Sequence, residues 1–141
     1  MENAIQIAVA EIGNDHYLTR LTNTRGHNLL ADEPPDVGGT DQGPRPGDFV
    51  RMGLAACTAI TLRMYADRKN WPVENIRVKV ANTPFDGQKT VFRTEVEVTG
   101  TLSVEQKDRL LQIARLCPVH KMLTHTIETE TELKVVEPPE V

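Results

Sequence analysis

Apolar and small residues recur along residues 43–71 at Phe49, Val50, Gly53, Leu54, Cys57, Ile60, Thr61 and Met64. That i, i+3, i+4, i+7 spacing predicts one long helix with a stripe facing the core. Arg51, Arg63, Asp67 and Arg68 fall mostly on the other side. Pro46 suits a first helical turn, where its missing N–H is not needed, and Asp48 adds negative charge where the helix dipole favours it. Gly53, Ala55, Ala56 and Ala59 keep the helix thin enough for a sheet or a second helix to come close. Trp71-Pro72 ends it, because a residue before proline is pushed out of the αR region. The pattern therefore places Cys57 on the buried face of a central helix.

The flanking pattern is mostly of period two. Residues 3–10 alternate loosely, Tyr17–Thr22 looks like their hairpin partner, and His27–Ala31 reads as a third strand of an antiparallel meander. Residues 32–47 are rich in proline and glycine and form a long loop, of a length that is usually functional or mobile. Beyond the helix, Ile76–Val80 and Val91–Val98 alternate cleanly about a turn at Pro84–Gly87, which makes a second hairpin. Ser103 and Gln106 have capping-box spacing, with Leu102 ahead of them as a staple. The helix they open is apolar at Leu110, Leu111, Ile113, Ala114 and Leu116, and Pro118 breaks it. Thr126–Val136 alternates as a closing strand, followed by a frayed Pro-Pro tail. Residues 1–141 thus read as a single α+β domain, with helices against a largely antiparallel sheet.

Composition narrows the function. With 39% hydrophobic and 26% charged residues, the 141-residue chain has the makeup of a globular domain. A net charge of −4 and a pI near 5.6 argue against nucleic acid as the main partner. No apolar run is long enough to span a bilayer, and the first residues lack a signal peptide's basic and apolar regions, so the expected location is the cytoplasm. The proline- and glycine-rich loop has no phosphate-binding lysine after its glycines. Two cysteines, Cys57 and Cys117, are too few for a secreted disulfide scaffold.

Those cysteines are the candidate chemistry. Cys117 precedes Pro118 and so stands at the N-cap of a following short helix, where backbone N–H groups favour the thiolate. Arg115, His120 and Lys121 are close to it in sequence. Cys57, in mid-helix, has no such help from its own neighbours. Three readings stay open at this point: buried filler, a zinc site using Cys57, Cys117 and His120, and redox chemistry.

Two stretches, ADEPPDVGGTDQGPRPGDFVRMGLAACTAITLRMYADRKNWPVENIRVKV and RLLQIARLCPVHKML, resemble the OsmC/Ohr family of thiol-dependent peroxidases, in its OsmC-like branch. With the hairpin between them and the last strand in the family's order, the resemblance covers nearly the whole chain. It implies an OsmC-like fold and an intertwined homodimer, with antiparallel sheets flanking central helices and two active sites at the subunit interface. It also implies two-electron reduction of organic hydroperoxides, and of hydrogen peroxide in some members. By the match, Cys57 is the peroxidatic cysteine and Cys117 the resolving one, restored by an external dithiol or lipoyl reductant, with no metal or organic cofactor. The alternative within the same resemblance is a non-enzymatic dimer holding a small apolar ligand in its interface cleft.

The family also pairs an acid ahead of the first cysteine with an arginine from the N-terminal region. The nearest acid here is Asp48, nine residues before Cys57, which on one straight helix is about 900° of rotation and roughly 13 Å away. It meets Cys57 only if the helix starts later or bends, or across a dimer interface, and it equally suits a plain helix-start role. Among Arg20, Arg25 and Arg45, the turn position of Arg25 beside Gly26 makes it the first choice. Asp32-Glu33 and His120 lie in the matching motifs without an assigned role.

Overall fold

A computed structural model describes residues 5–140. The first sheet is the expected meander of β1 (Ala8–Ile12), β2 (Thr19–Asn23) and β3 (Asn28–Ala31), all antiparallel. Its first strand starts later than the alternation of residues 3–10 suggests, and residues 3 and 4 lie outside the described part. The principal contacts of this sheet are within itself, and β1 is exposed along its whole length.

The loop after β3 is tied down rather than loose. Asp32 is buried, and its carboxylate accepts hydrogen bonds from Glu33 N (2.8 Å), Thr40 Oγ1 (2.8 Å) and Gln42 N (3.0 Å). Arg45 Nε closes the loop on Glu33 Oε2 at 2.9 Å. Two glycines make the fold-back possible by close approach. A Cβ on Gly39 would stand 1.8 Å from Glu33 O, and one on Gly43 would stand 2.3 Å from Leu30 O.

The long helix α1 spans Pro46–Lys69. Proline occupies its first turn, Asp48 accepts a hydrogen bond from Arg45 N (3.0 Å), and Asn70 ends it in the left-handed conformation at φ 56°. Its core-facing stripe differs from the sequence reading. Leu54, Thr58, Leu62 and Ala66 are the buried residues, while Val50, Ile60 (53% exposed) and Met64 (61%) face outward. The expected single stripe is in fact two adjacent apolar faces. Cys57 lies on the outer one, only half-buried, because successive positions advance by about 100° and the two faces interleave in the sequence.

The inner face packs on β4 (Val73–Asn82), α2 (Val104–Ala114) and α3 (Pro118–Leu123). Strand β4 pairs with β5 (Phe92–Gly100) in a hairpin that sets Ile76 opposite Val98 and Val78 opposite Val96 on the core side. Arg77, Lys79, Glu95 and Glu97 form loose ion pairs on the other side. Helix α2 starts with the expected capping box, Ser103 Oγ accepting from Gln106 N at 3.1 Å and Gln106 Oε1 from Ser103 N at 2.8 Å. The core centres on Leu62 (0% exposed) with Leu110 and Ile113, surrounded by Tyr65, Trp71, Ile76, Val96 and Leu102. Tyr65 and Trp71 meet edge-to-face, 5.4 Å between ring centres.

The closing strand expected over Thr126–Val136 does not form. This segment carries no assigned secondary structure and is exposed throughout, Leu133 at 90%. Its alternation is that of an amphipathic strand, but a strand needs a neighbour for its N–H and C=O groups, and the single chain presents none to it.

Leu62→Ala is expected to cost about 2–5 kcal/mol in a denaturant titration, through lost burial and the cavity left behind. Three donors hold the Asp32 carboxyl below the usual carboxylate range, the Gln42 N–H foremost, against the opposing effect of burial. Its native pKa is therefore depressed, so its stabilisation is present above the unfolded value of about 3.9 and lost as pH falls through the native one. Asp32→Asn should lower the melting temperature at pH 7, and the difference from the parent chain should shrink steadily as melts are repeated toward acid pH.

Candidate active site

The two cysteines come from elements far apart in sequence and face each other. Cys57 sits at mid-length on α1. Cys117, fully buried, is the N-cap of α3, in the extended conformation that Pro118 at the first helical position favours for the residue before it. The Cys117 sulfur accepts a hydrogen bond from His120 N (3.2 Å) and lies 3.7 Å from Thr58 Oγ1. Thr58 spends its hydroxyl proton on Leu54 O (2.8 Å), so the Cys117 thiol is the donor in that second contact.

Cys57 faces the Cys117 sulfur, the Val119 backbone N–H and the Thr61 side chain. Loss of hydration pushes its pKa up. The Cys117 side chain pushes the same way, while the Val119 N–H and Thr61 partly oppose both. No cation or carboxylate is among these neighbours. Both cysteines are free thiols.

Asp48 and Arg25 are not brought to Cys57 within one chain. Asp48 lies in the first turn of α1, where Arg51 foremost and the Arg45 N–H next hold its carboxyl below the usual range. Arg51 also donates to Asn82 Oδ1 at 2.7 Å, joining α1 to β4. This Asp48–Arg51–Asn82 link borders an open cleft of about 680 Å³, with Met52, Ala55, Val78 and Val80 as its apolar side. Arg25 stands at the exposed β2–β3 turn, its N–H donating to Asn23 Oδ1 at 3.2 Å. The sequence reading set Arg51 aside as a residue of the polar face. Its i, i+3 spacing from Asp48 was the available sign that it, rather than an upstream arginine, grips that acid.

The zinc arrangement also does not assemble. His120 meets Cys117 through its backbone N–H, and among the described residues no group of three or more His, Cys, Asp or Glu side chains is placed to hold a metal ion.

The model of the OsmC-like protein family matches residues 39–132, a span that includes both cysteines and both helices that position them. The chain belongs to the OsmC family. Solved structures agree at the level of the fold. An OsmC-like protein from Mycoplasma pneumoniae superposes with a TM-score of 0.71 at 18% identity, over 86% of this chain and 89% of that one. An organic hydroperoxide resistance protein OsmC from Legionella pneumophila gives 0.64 at 20%, over 88% and 92%. One from Elizabethkingia anophelis gives 0.64 at 18%, over 90% and 93%. No curated protein matches this OsmC-family chain in sequence, and no helix among its described residues is long and apolar enough to cross a membrane.

Alkylation of Cys57, followed by peptide mass mapping across a pH series, should rise to its plateau at a higher pH than for an unhindered cysteine. Cys117→Ala removes a neighbour that raises the pKa and should move that rise to lower pH. Thr61→Val removes one that lowers it and should move the rise upward.

Proposed function

We propose that this chain is a thiol-dependent peroxidase for organic hydroperoxides, working in the cytoplasm in defence against oxidative stress. The observation that carries the reading is the apposition of its two cysteines, one half-buried on α1 and one buried at the start of α3. The Cys57 thiolate attacks the outer oxygen of the O–O bond. That bond breaks, the alkoxide leaves and takes a proton as the alcohol, and Cys57 becomes a sulfenic acid. The Cys117 sulfur then attacks the sulfenic sulfur, water leaves, and a Cys57–Cys117 disulfide forms. An external dithiol or lipoyl group exchanges with it, returns both thiols and departs as its own disulfide. No metal or organic cofactor enters these steps.

The working unit in this proposal is a homodimer. The outer face of α1 exposes Val50, Ile60 and Met64 around Cys57, and Thr126–Val136 is an alternating segment with no neighbour to pair with. A second copy covers the first and receives the second. It also supplies what Cys57 lacks in one chain: Asp48 and Arg25 of one copy act as positioning residues for the thiolate of the other. A dimer that holds a small apolar ligand at this face without turnover is the competing reading, favoured by the raised Cys57 pKa.

Brief treatment with one equivalent of an organic hydroperoxide should remove two hydrogens from the intact mass, mapping to Cys57–Cys117. Cys57→Ser should abolish dithiol-dependent peroxide consumption. Cys117→Ser should leave a sulfenic acid that a carbon-acid probe traps. Two thiols still free after minutes of exposure would favour the ligand-binding reading. Ile60→Glu should shift the chain toward monomer in sedimentation and slow peroxide consumption at least tenfold.

A further inference from the structure

A second cavity, of about 400 Å³, lies between β5, α2 and α3 and is lined by other α1 residues than those of the cleft beside Asp48. Leu54, Val96, Leu111 and Ala114 make its walls apolar. Arg115 and His120 add polar groups at one side. Arg115 is exposed at the end of α2, and among the described residues no carboxylate forms an ion pair with it. A chamber of this size suits a small organic molecule. An apolar lining with a guanidinium at its solvent-facing side suits an apolar body and an anionic head.

We propose that this cavity binds a small amphipathic carboxylate, its chain against Leu54, Val96, Leu111 and Ala114 and its head at Arg115 and His120. The same cavity is floored by Thr58. Thr58 and His120 both bring polar atoms to the Cys117 sulfur, at 3.7 and 3.2 Å. A bound carboxylate therefore lies one residue away from that sulfur, on a side that Cys57 does not line. Binding needs neither sulfur to react, so the inference stands apart from the peroxidase reading.

The test is a titration of the full chain, followed by amide NMR shifts, with butyrate, octanoate and octanol. Octanoate should give saturable shifts at Thr94, Leu111, Ala114 and His120, with affinity rising roughly two- to fourfold per methylene from butyrate. Arg115→Gln, at an exposed position that leaves the core intact, should weaken octanoate roughly three- to tenfold and leave octanol unchanged. Absence of saturable shifts at millimolar octanoate would overturn the site. Shifts confined to Met52 and Ala55 would place the ligand in the other cleft and overturn it too. Equal binding of octanol and octanoate, insensitive to Arg115→Gln, would overturn the carboxylate assignment.

Discussion

The packing of the inner face of α1 against the β4–β5 hairpin and the two later helices is the constraint on which the rest depends. Leu54, Thr58, Leu62 and Ala66 are its buried positions, and Leu62 closes the core with Leu110 and Ile113. Because that face is seated, the azimuth of every other α1 residue follows from the helical repeat. Cys57 is thereby turned toward α3, with Ile60 and Met64 beside it on the outer side. Thr58 belongs both to the seated face and to the Cys117 pocket. A shift of α1 on its hairpin would change the core and the sulfur pair together.

Electrostatics within one chain favour the thiol of Cys57 over its thiolate. The α3 backbone offers N–H groups to both sulfurs, His120 N to Cys117 and Val119 N to Cys57. Against that, burial raises the Cys57 pKa, and among the described residues no positive side chain is one of the neighbours that shift it. A nucleophile needs its thiolate, so in the proposed reaction the favourable charge is one that a second copy supplies. The exposed apolar surface around Cys57 marks where a covering surface would sit.

The segment between β3 and α1 does a different task. Its three-donor clamp on Asp32 and the close approaches at Gly39 and Gly43 hold the start of α1 beside the first sheet. From there Asp48 and Arg51 tie the first turns of α1 to Asn82 of β4. What looks in composition like a slack connection is a hydrogen-bonded strut.

Local chemistry along the chain was enough to determine the elements. Pro46, the Ser103–Gln106 capping box, Pro118 after Cys117 and the two alternating hairpin strands each specify their own geometry within a few residues, and each appears where the pattern put it. The motif pair around Cys57 and Cys117 likewise carried the family. Tertiary structure alone decided which apolar face of α1 is inner, since its middle, Met52–Leu62, carries no charged residue and so offers periodicity no single stripe to find. It alone decided that Asp32 organises a loop and that Thr126–Val136 stays unpaired. Each of these depends on what comes to lie opposite a residue, and a linear pattern records a side chain's character but not its neighbour.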